Sequence, residues 1–529
     1  MSNTSLPIFK TWAPEWLIRL TIFLVLLPAL GIFALYFSNG AETAGYYGME
    51  PADVQYSVMV MYATLVAFLP LDDRFVKYLK PRQYFLIGIG LNTLTFLICA
   101  NTRNVSVFMV CRFIQGIVCA PFCSLCLHLI FSRLHVTRMR VIGYAVFYGS
   151  LQVAIPGCAI FCSWMLYYFE FNMLFYALII VEIPGVILFL LITNNVRLRK
   201  KFPLYQIDWV SYLFYTVMLC VVAWIFVYGQ QLNWLDSPLV LQLMALVAVT
   251  LVLFVIRQLH LKRPFINIRL FRFADFRNGL LLLMAYYIFK GTTGFAYSYL
   301  QGVGGLYPVH LTPVLLMNIA GIVAGMLISS RFILHGMVLN KILIGGFMCL
   351  LLYHVQMYFL FSSTAATTDF FLPMLLQGLG SGVLFVPLVL FTVSAVPAPL
   401  AGAVSFIGIA ARFTGFCISI AVANYFQLFN KSIHYNRFRE NITALNPAMD
   451  ETINSIQASI ANSGQDAATA KMLSSGMLNR AVTEQVALRA AMDYYGMMIW
   501  ALSVFIVLLA VLPSARRAML YYTRKFIPY

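Results

Sequence analysis

The sequence predicts an all-α polytopic membrane protein that crosses the bilayer fourteen times. Three observations predict it. Of 529 residues, 62% are hydrophobic and only 10% charged, with a mean hydropathy of +0.85, whereas soluble domains carry about 25% charged residues. A spanning helix needs about 20 mostly apolar residues, and fourteen segments qualify. The Lys and Arg residues then fall on alternate connections, as the positive-inside rule requires.

The first segment, near residues 17–37, is long enough to span and has no small-residue cleavage site after it, so it reads as a helix and not a signal peptide. Helices near 54–71 and 83–100 follow, joined by a connection carrying Arg74, Lys77, Lys80 and Arg82. Helices near 106–131 and 141–164 flank Arg133, Arg138 and Arg140. The sixth, near 171–193, leads into Arg197, Arg199, Lys200 and Lys201. Segments near 209–228, 238–257, 276–300, 311–330, 339–361, 370–391, 402–426 and 496–514 complete the set. With the N-terminus inside, 25 of the 35 Lys and Arg lie on inside connections, and Arg103 is the one basic residue of the short outside connections. An odd count would scramble this alternation, so both termini are expected to be cytoplasmic.

One long hydrophilic stretch, 427–495, falls outside, between helices 13 and 14. Its parts Asp450–Ala461 and Leu478–Met492 have helix-compatible patterning, which fits either a solvated helical hairpin or a docking surface. An internal echo pairs Ile114-Gln115-Gly116-Ile117 in helix 4 with Leu376-Gln377-Gly378-Leu379 in helix 12. Those positions correspond in a chain of two six-helix halves, and parallel repeats of this kind mark two-lobed secondary transporters. The expected division is residues 1–200 for the first lobe, 201–265 for an inserted helix pair 7–8 and its linker, and 266–529 for the second lobe.

The net charge of +17 would suggest nucleic acid in a soluble protein, but its placement on inside connections points to topology instead. The ten cysteines lie in or beside apolar segments, which excludes a secreted disulfide framework. Cys119, Cys123 and Cys126 share one side of a helix. No His or carboxylate accompanies them, so they read as packing residues, with no metal and no cofactor expected. No nucleophile constellation or phosphate loop appears, and the longest soluble stretch is short for a catalytic domain, which speaks against a membrane-bound enzyme or receptor.

Ionisable groups at bilayer depth are costly, so each is a candidate for function with a partner. Arg112, Glu182, Lys290 and Arg412 stand out. Arg112, Gln115, Gly116 and Cys119 recur on one helix face, which suits a cavity wall or an Arg paired to carbonyls of a neighbouring helix. Glu182 is the mid-helix carboxylate and the expected proton-coupling group, unless it is locked to Arg112, Lys290 or Arg412. Lys290 precedes the loose stretch Gly291-Thr292-Thr293-Gly294. Helix 9 is crowded by Tyr286, Tyr287, Phe289, Phe295, Tyr297 and Tyr299, which suits a cavity for large apolar or cationic molecules or plain lipid-facing packing.

Taken in order, these residues resemble the major facilitator superfamily in its fourteen-helix drug:proton antiporter branch. The resemblance is carried by Arg112-Phe113-Ile114-Gln115-Gly116 with Ala120-Pro121, by Pro264-Phe265 through Phe276-Arg277-Asn278-Gly279, by Gln377-Gly378, Phe385, Pro387 and Pro397, and by Arg412 with Gly415. Asp73-Arg74 is similar to the family's motif between helices 2 and 3, although Leu69 and Val76 stand at its glycine positions. Helix 1 has no acid, helix 5 keeps only Pro156-Gly157 of the antiporter pattern, and Glu182 precedes Ile183-Pro184. The resemblance implies secondary active, proton-coupled efflux of hydrophobic or amphipathic small molecules, or of one metabolite or lipid-like compound. Glu182 would carry the proton, Arg112, Gln115, Lys290, Gln377 and Arg412 would line or gate the cavity, and Asp73 with Arg74 would form a cytoplasmic latch. It also implies a bacterial inner membrane, protons and lipid as partners, and a periplasmic adaptor with an outer-membrane channel.

Overall fold

The computed structural model describes residues 8–133, 136–196, 207–291, 293–302, 307–362, 365–397, 400–442, 446–462, 464, 466–511 and 519. Its helices are α1 (Glu15–Ser38), α2 (Gly40–Tyr47), α3 (Pro51–Tyr78), α4 (Pro81–Asn101), α5 (Val105–Ser132), α6 (Val136–Tyr168), α7 (Met173–Ile192), α8 (Trp209–Tyr228) and α9 (Pro238–His260). They continue with α10 (Ala274–Lys290), α11 (Thr293–Gly302), α12 (Thr312–Leu334), α13 (Leu339–Leu360), α14 (Phe371–Ser394), α15 (Ala401–Tyr425), α16 (Lys431–Asn441), α17 (Pro447–Asn462) and α18 (Ala467–Val511). Among the described residues fourteen spans are long and apolar enough to cross a membrane, with α10 and α11 forming one of them, α15 running on into α16 in another, and α2 and α17 in none. Lipid leaves no water for an open backbone, so the chain satisfies its N–H and C=O groups inside helices.

The packing repeats. In the first half α1 packs on α6 and α7, α3 on α5, and α4 on α5 and α7. In the second half α10 packs on α15, α11 on α18, α12 on α14, and α13 on α14 and α18. Each contact of the first set has its counterpart eight spans later, which makes two six-helix lobes. The lobes meet where α6 crosses α12 and α14, and where α15 crosses α3. Their seams use small residues, as helix pairs in lipid do. Gly321 and Gly325 of α12 face Gly378 and Gly382 of α14 so closely that a Cβ on any of the four would collide with backbone of the other helix. Gly116 of α5 is held the same way against Thr64 and Met61 of α3. The echo around Gly116 and Gly378 in the sequence therefore marks equivalent seams.

The inserted pair, α8 and α9, packs on itself and, through α8, on α3 and α15. Burial follows position: 89% of the apolar window of α3 is buried but only 17% of that of α9, which turns Leu and Val outward. One hydrogen-bonded cluster ties the pair's ends to the second lobe. Asp208 caps α8 through the Ser211 amide and accepts a bond from Arg257 of α9 at 2.8 Å. Gln258 donates to the Ser211 hydroxyl at 2.7 Å and accepts from the amides of Phe265 and Ile266 in the linker. Burial alone would raise the Asp208 carboxyl, but the bonds from Arg257 and Ser211 outweigh it and hold it below the usual carboxylate range.

Two departures from the expected spans stand out. Span 9 is interrupted: α10 stops at Lys290, and Gly291 lies against Ser419 too closely for a Cβ. The hydrophilic stretch is helical, and its last helix is continuous with the final span. At 1.5 Å per residue the 45 residues of α18 run about 68 Å, against about 30 Å of hydrocarbon. Of the expected segment 496–514, the described residues 496–511 are only the lipid-compatible end of a longer helix whose polar part remains rich in Ala, Met, Leu and Arg, all good helix formers.

The N-terminal segment is fixed to the ends of even-numbered spans. The Lys10 amide donates to the Ile192 carbonyl, and the Asn194 amide to the Ile8 carbonyl, each at 2.8 Å. Arg133 pairs with Glu15 at 2.7 Å. Residues 15, 133 and 193 thus share one face of the molecule, which will be called the N-terminal face.

Candidate functional site

A cavity of about 1010 Å³ lies between the lobes. Its walls come from both: Phe33 and Phe37 of α1, Tyr62 of α3, Tyr148 and Gln152 of α6, Tyr287 and Lys290 of α10, Gln377 of α14, and Phe406 and Arg412 of α15. It extends to Ile8, His128 and Phe131 and to Gly402 and Ala403, so it reaches the N-terminal face. The opposite end is closed by side chains of α1, α3 and α15. Phe37 meets Phe416 at 5.5 Å between ring centroids, and Tyr62 meets Phe413 edge-on at the same distance. Nearer the far face, Asn424 donates to Gln55 at 3.3 Å and to the Val227 carbonyl at 3.1 Å.

Two cations stand in the deep part of the cavity. The Lys290 ammonium donates to Gln152 Oε1 at 3.0 Å, and the Tyr286 hydroxyl shares that acceptor, also at 3.0 Å. Arg412 donates to the Tyr148 hydroxyl at 3.3 Å. Its guanidinium lies over the rings of Tyr148 and Phe385, at 4.8 and 5.0 Å, a cation–π arrangement that partly replaces lost hydration. The Arg412 Nε is buried with no partner. Tyr148 and Gln152 are one turn apart on α6, so a single helix edge of the first lobe receives both cations of the second.

Gln377 also reaches the cavity and accepts from Asn318 Nδ2 at 2.6 Å, across the α12–α14 seam. Arg112 and Gln115 do not line it. Arg112 is fully buried inside the first lobe, donates to the carbonyls of Ile32 and Ser57 and to Gln115 Oε1, and stacks on Tyr36 at 4.3 Å. Gln115 in turn donates to Thr95. Of that helix face only Cys119 comes to the cavity wall.

Glu182 is buried on α7 but faces α4, where Asn92 donates to its Oε1 at 2.7 Å; its Oε2 has no partner. None of the ion pairs among the described residues joins it to Arg112, Lys290 or Arg412. The helix 9 aromatics divide: Tyr287 and Tyr297 line the cavity, whereas Phe295 stacks on Tyr494 and Phe289 packs on Phe347 and Phe505.

The motif at the end of α3 holds a residue that sequence reasoning passed over. The Asp73 side chain lies outside the described residues. Asp72 beside it is buried, lines the cavity and accepts from the Tyr84 hydroxyl of α4. Its spacing of three from Leu69, another cavity residue, was a legible sign. Gln152 was also passed over, although Tyr144, Tyr148 and Gln152 recur every four residues along α6. No group of three or more His, Cys, Asp or Glu able to hold a metal occurs among the described residues.

A central cavity, shared by two repeated lobes and open at one face only, defines a polytopic secondary transporter. Relatives agree. The chain is 23% identical over 395 residues to the multidrug export protein EmrB of Haemophilus influenzae, covering 72% of this chain and 74% of that one. It is 25% identical over 292 residues to the drug efflux pump JefA of Mycobacterium tuberculosis, where it spans about half of either chain (54% and 55%). Among solved structures, a peptide transporter POT in complex with sulfate superposes with a TM-score of 0.59 at 12% identity, over 97% of this chain and 98% of that one. No family profile matches the chain. In sequence the chain is thus similar to multidrug export proteins, and in fold to a solved transporter.

Proposed function

We propose that this transporter exports hydrophobic or amphipathic small molecules from the cytoplasm, driven by protons, by alternating access of its two lobes. The observation that carries the reading is the cavity itself: it is large enough for a drug-sized molecule, walled by both lobes, reached from the N-terminal face and closed at the other. The alternation of Lys and Arg supports a cytoplasmic N-terminal face, with lobes near 1–200 and 266–529 and the inserted pair near 201–265. The multidrug export relatives support efflux and, being bacterial, an inner-membrane location. In that orientation the helical stretch 427–495 projects on the far side, where a periplasmic adaptor leading to an outer-membrane channel would dock. Asp73 and Arg74, at the end of α3, would act with Asp72 as a latch at the cytoplasmic end.

Glu182 is our candidate for the proton carrier. It is a buried carboxylate with one oxygen unpartnered, and α7 packs on α1, whose Phe33 and Phe37 line the cavity. Protonation would change the α4–α7 contact at Asn92 and so bias one arrangement of the lobes. The reading is tested in proteoliposomes by following substrate movement under an imposed pH gradient. Glu182→Gln is expected to abolish gradient-driven transport while leaving substrate binding intact. Transport at the parent rate would remove Glu182 from the mechanism, and a parent chain that moves no substrate under any gradient would remove the export reading.

A further inference from the structure

The cavity's charges select a substrate class that the aromatic walls alone would not reveal. Lys290 and Arg412 both stand in its deep part, and neither has a carboxylate partner among the described residues. Among the described residues Lys290 has a single protein acceptor, Gln152, for an ammonium with three donors. Arg412 has one hydroxyl acceptor, two aromatic faces and a buried Nε without a partner. A cation held at membrane depth is costly and is ordinarily met by a counter-charge. The one acidic side chain on the cavity wall among the described residues, Asp72, sits toward the N-terminal face and is engaged by Tyr84. Glu182 faces α4. Among the described residues, the missing counter-charge is therefore on neither lobe.

We infer that the substrate supplies it: the cavity binds amphipathic organic anions, with the acidic head between Lys290 and Arg412 and the apolar body against Phe33, Phe37, Phe406 and Phe416. The inference rests on the central cavity being the transport site, as proposed above. It narrows the class, because a cationic amphiphile would meet two like charges with no acid at that depth to answer it. Gln152 and Tyr148 become positioning residues that aim the two cations, with Lys290 as the last residue of α10.

The experiment uses the full chain in lipid nanodiscs and two dyes that share a skeleton: anilinonaphthalene sulfonate, an anion, and phenylnaphthylamine, its uncharged parent. Ethidium serves as a cation of similar size. Binding is measured by calorimetry with empty nanodiscs subtracted, and transport in proteoliposomes with the same dyes. Charge-assisted hydrogen bonds to two cations predict that the sulfonate binds at least about tenfold more tightly than its parent. In Lys290→Met and in Arg412→Gln that ratio falls toward one, while Lys290→Arg, which keeps the charge, retains most of it. Preference for ethidium or for the uncharged parent overturns the inference, as does a sulfonate affinity unchanged in both neutral variants. If a neutral variant does not fold, the parent chain's ranking of the three dyes decides alone. Anion-selective binding without transport of any dye would leave the substrate class standing and bring down the export reading instead; cation transport would do the reverse.

Discussion

At the residue scale, the buried charges divide into those packed inside one lobe and those that face the cavity. Arg112 belongs to the first kind. Its bonds to two carbonyls and Gln115, with the Tyr36 ring beneath it, use the planar fork of a guanidinium. Arg112→Lys is expected to lower stability by about 1–3 kcal/mol, because an ammonium reaches fewer of these partners and leaves buried carbonyls unmet. A fall in the thermal midpoint of the purified protein would show it; an unchanged midpoint would assign those partners to water. The sequence made Arg112, Lys290 and Arg412 legible through the cost of charge in lipid. Which of them meets the cavity was not legible, since a helix's rotation about its axis is decided by its neighbours. Glu182 shows the same limit: its depth could be read, but not that it turns toward Asn92.

At the element scale, the apolar windows located fourteen spans, because length and hydropathy are local properties. The extension of α18 and the break after Lys290 were not legible in the same way. The first is a helix whose polar part carries no membrane signal, and the second depends on Gly291 meeting Ser419 from a distant span. The α12–α14 seam offers a direct test. A Cβ at Gly378 would collide with the Asn318 carbonyl, so Gly378→Ala is expected to destabilise the second lobe by about 1–3 kcal/mol, the range for overpacking, read as a lower thermal midpoint. The inserted pair has its own pH signature. Asp208 is held below its usual range, so its stabilising effect is present above the unfolded value of about 3.9 and is lost as pH falls through the lower folded value. Thermal midpoints taken down through that window should fall in the parent and fall less in Asp208→Asn, which starts lower; parallel curves would detach Asp208 from the acid response.

At the scale of the whole molecule, the account is one of two lobes, repeated in packing, that share a cavity and close it at one end at a time. The repeat was faintly legible as two Gln-Gly pairs; that both glycines sit on equivalent seams needed the fold. The closed end is held by Phe37, Tyr62, Phe413 and Phe416, with Gln55 bonded to Asn424 beyond them. If export requires this end to open, tethering α3 to α15 there must stop it. The decisive measurement is dye efflux from proteoliposomes carrying Gln55→Cys with Asn424→Cys, before and after a short reducible bifunctional thiol reagent, with the parent chain treated identically as control. The account predicts that cross-linking arrests efflux and that reduction restores it, with the parent unaffected. Full efflux through molecules shown to be cross-linked would contradict alternating access at this gate.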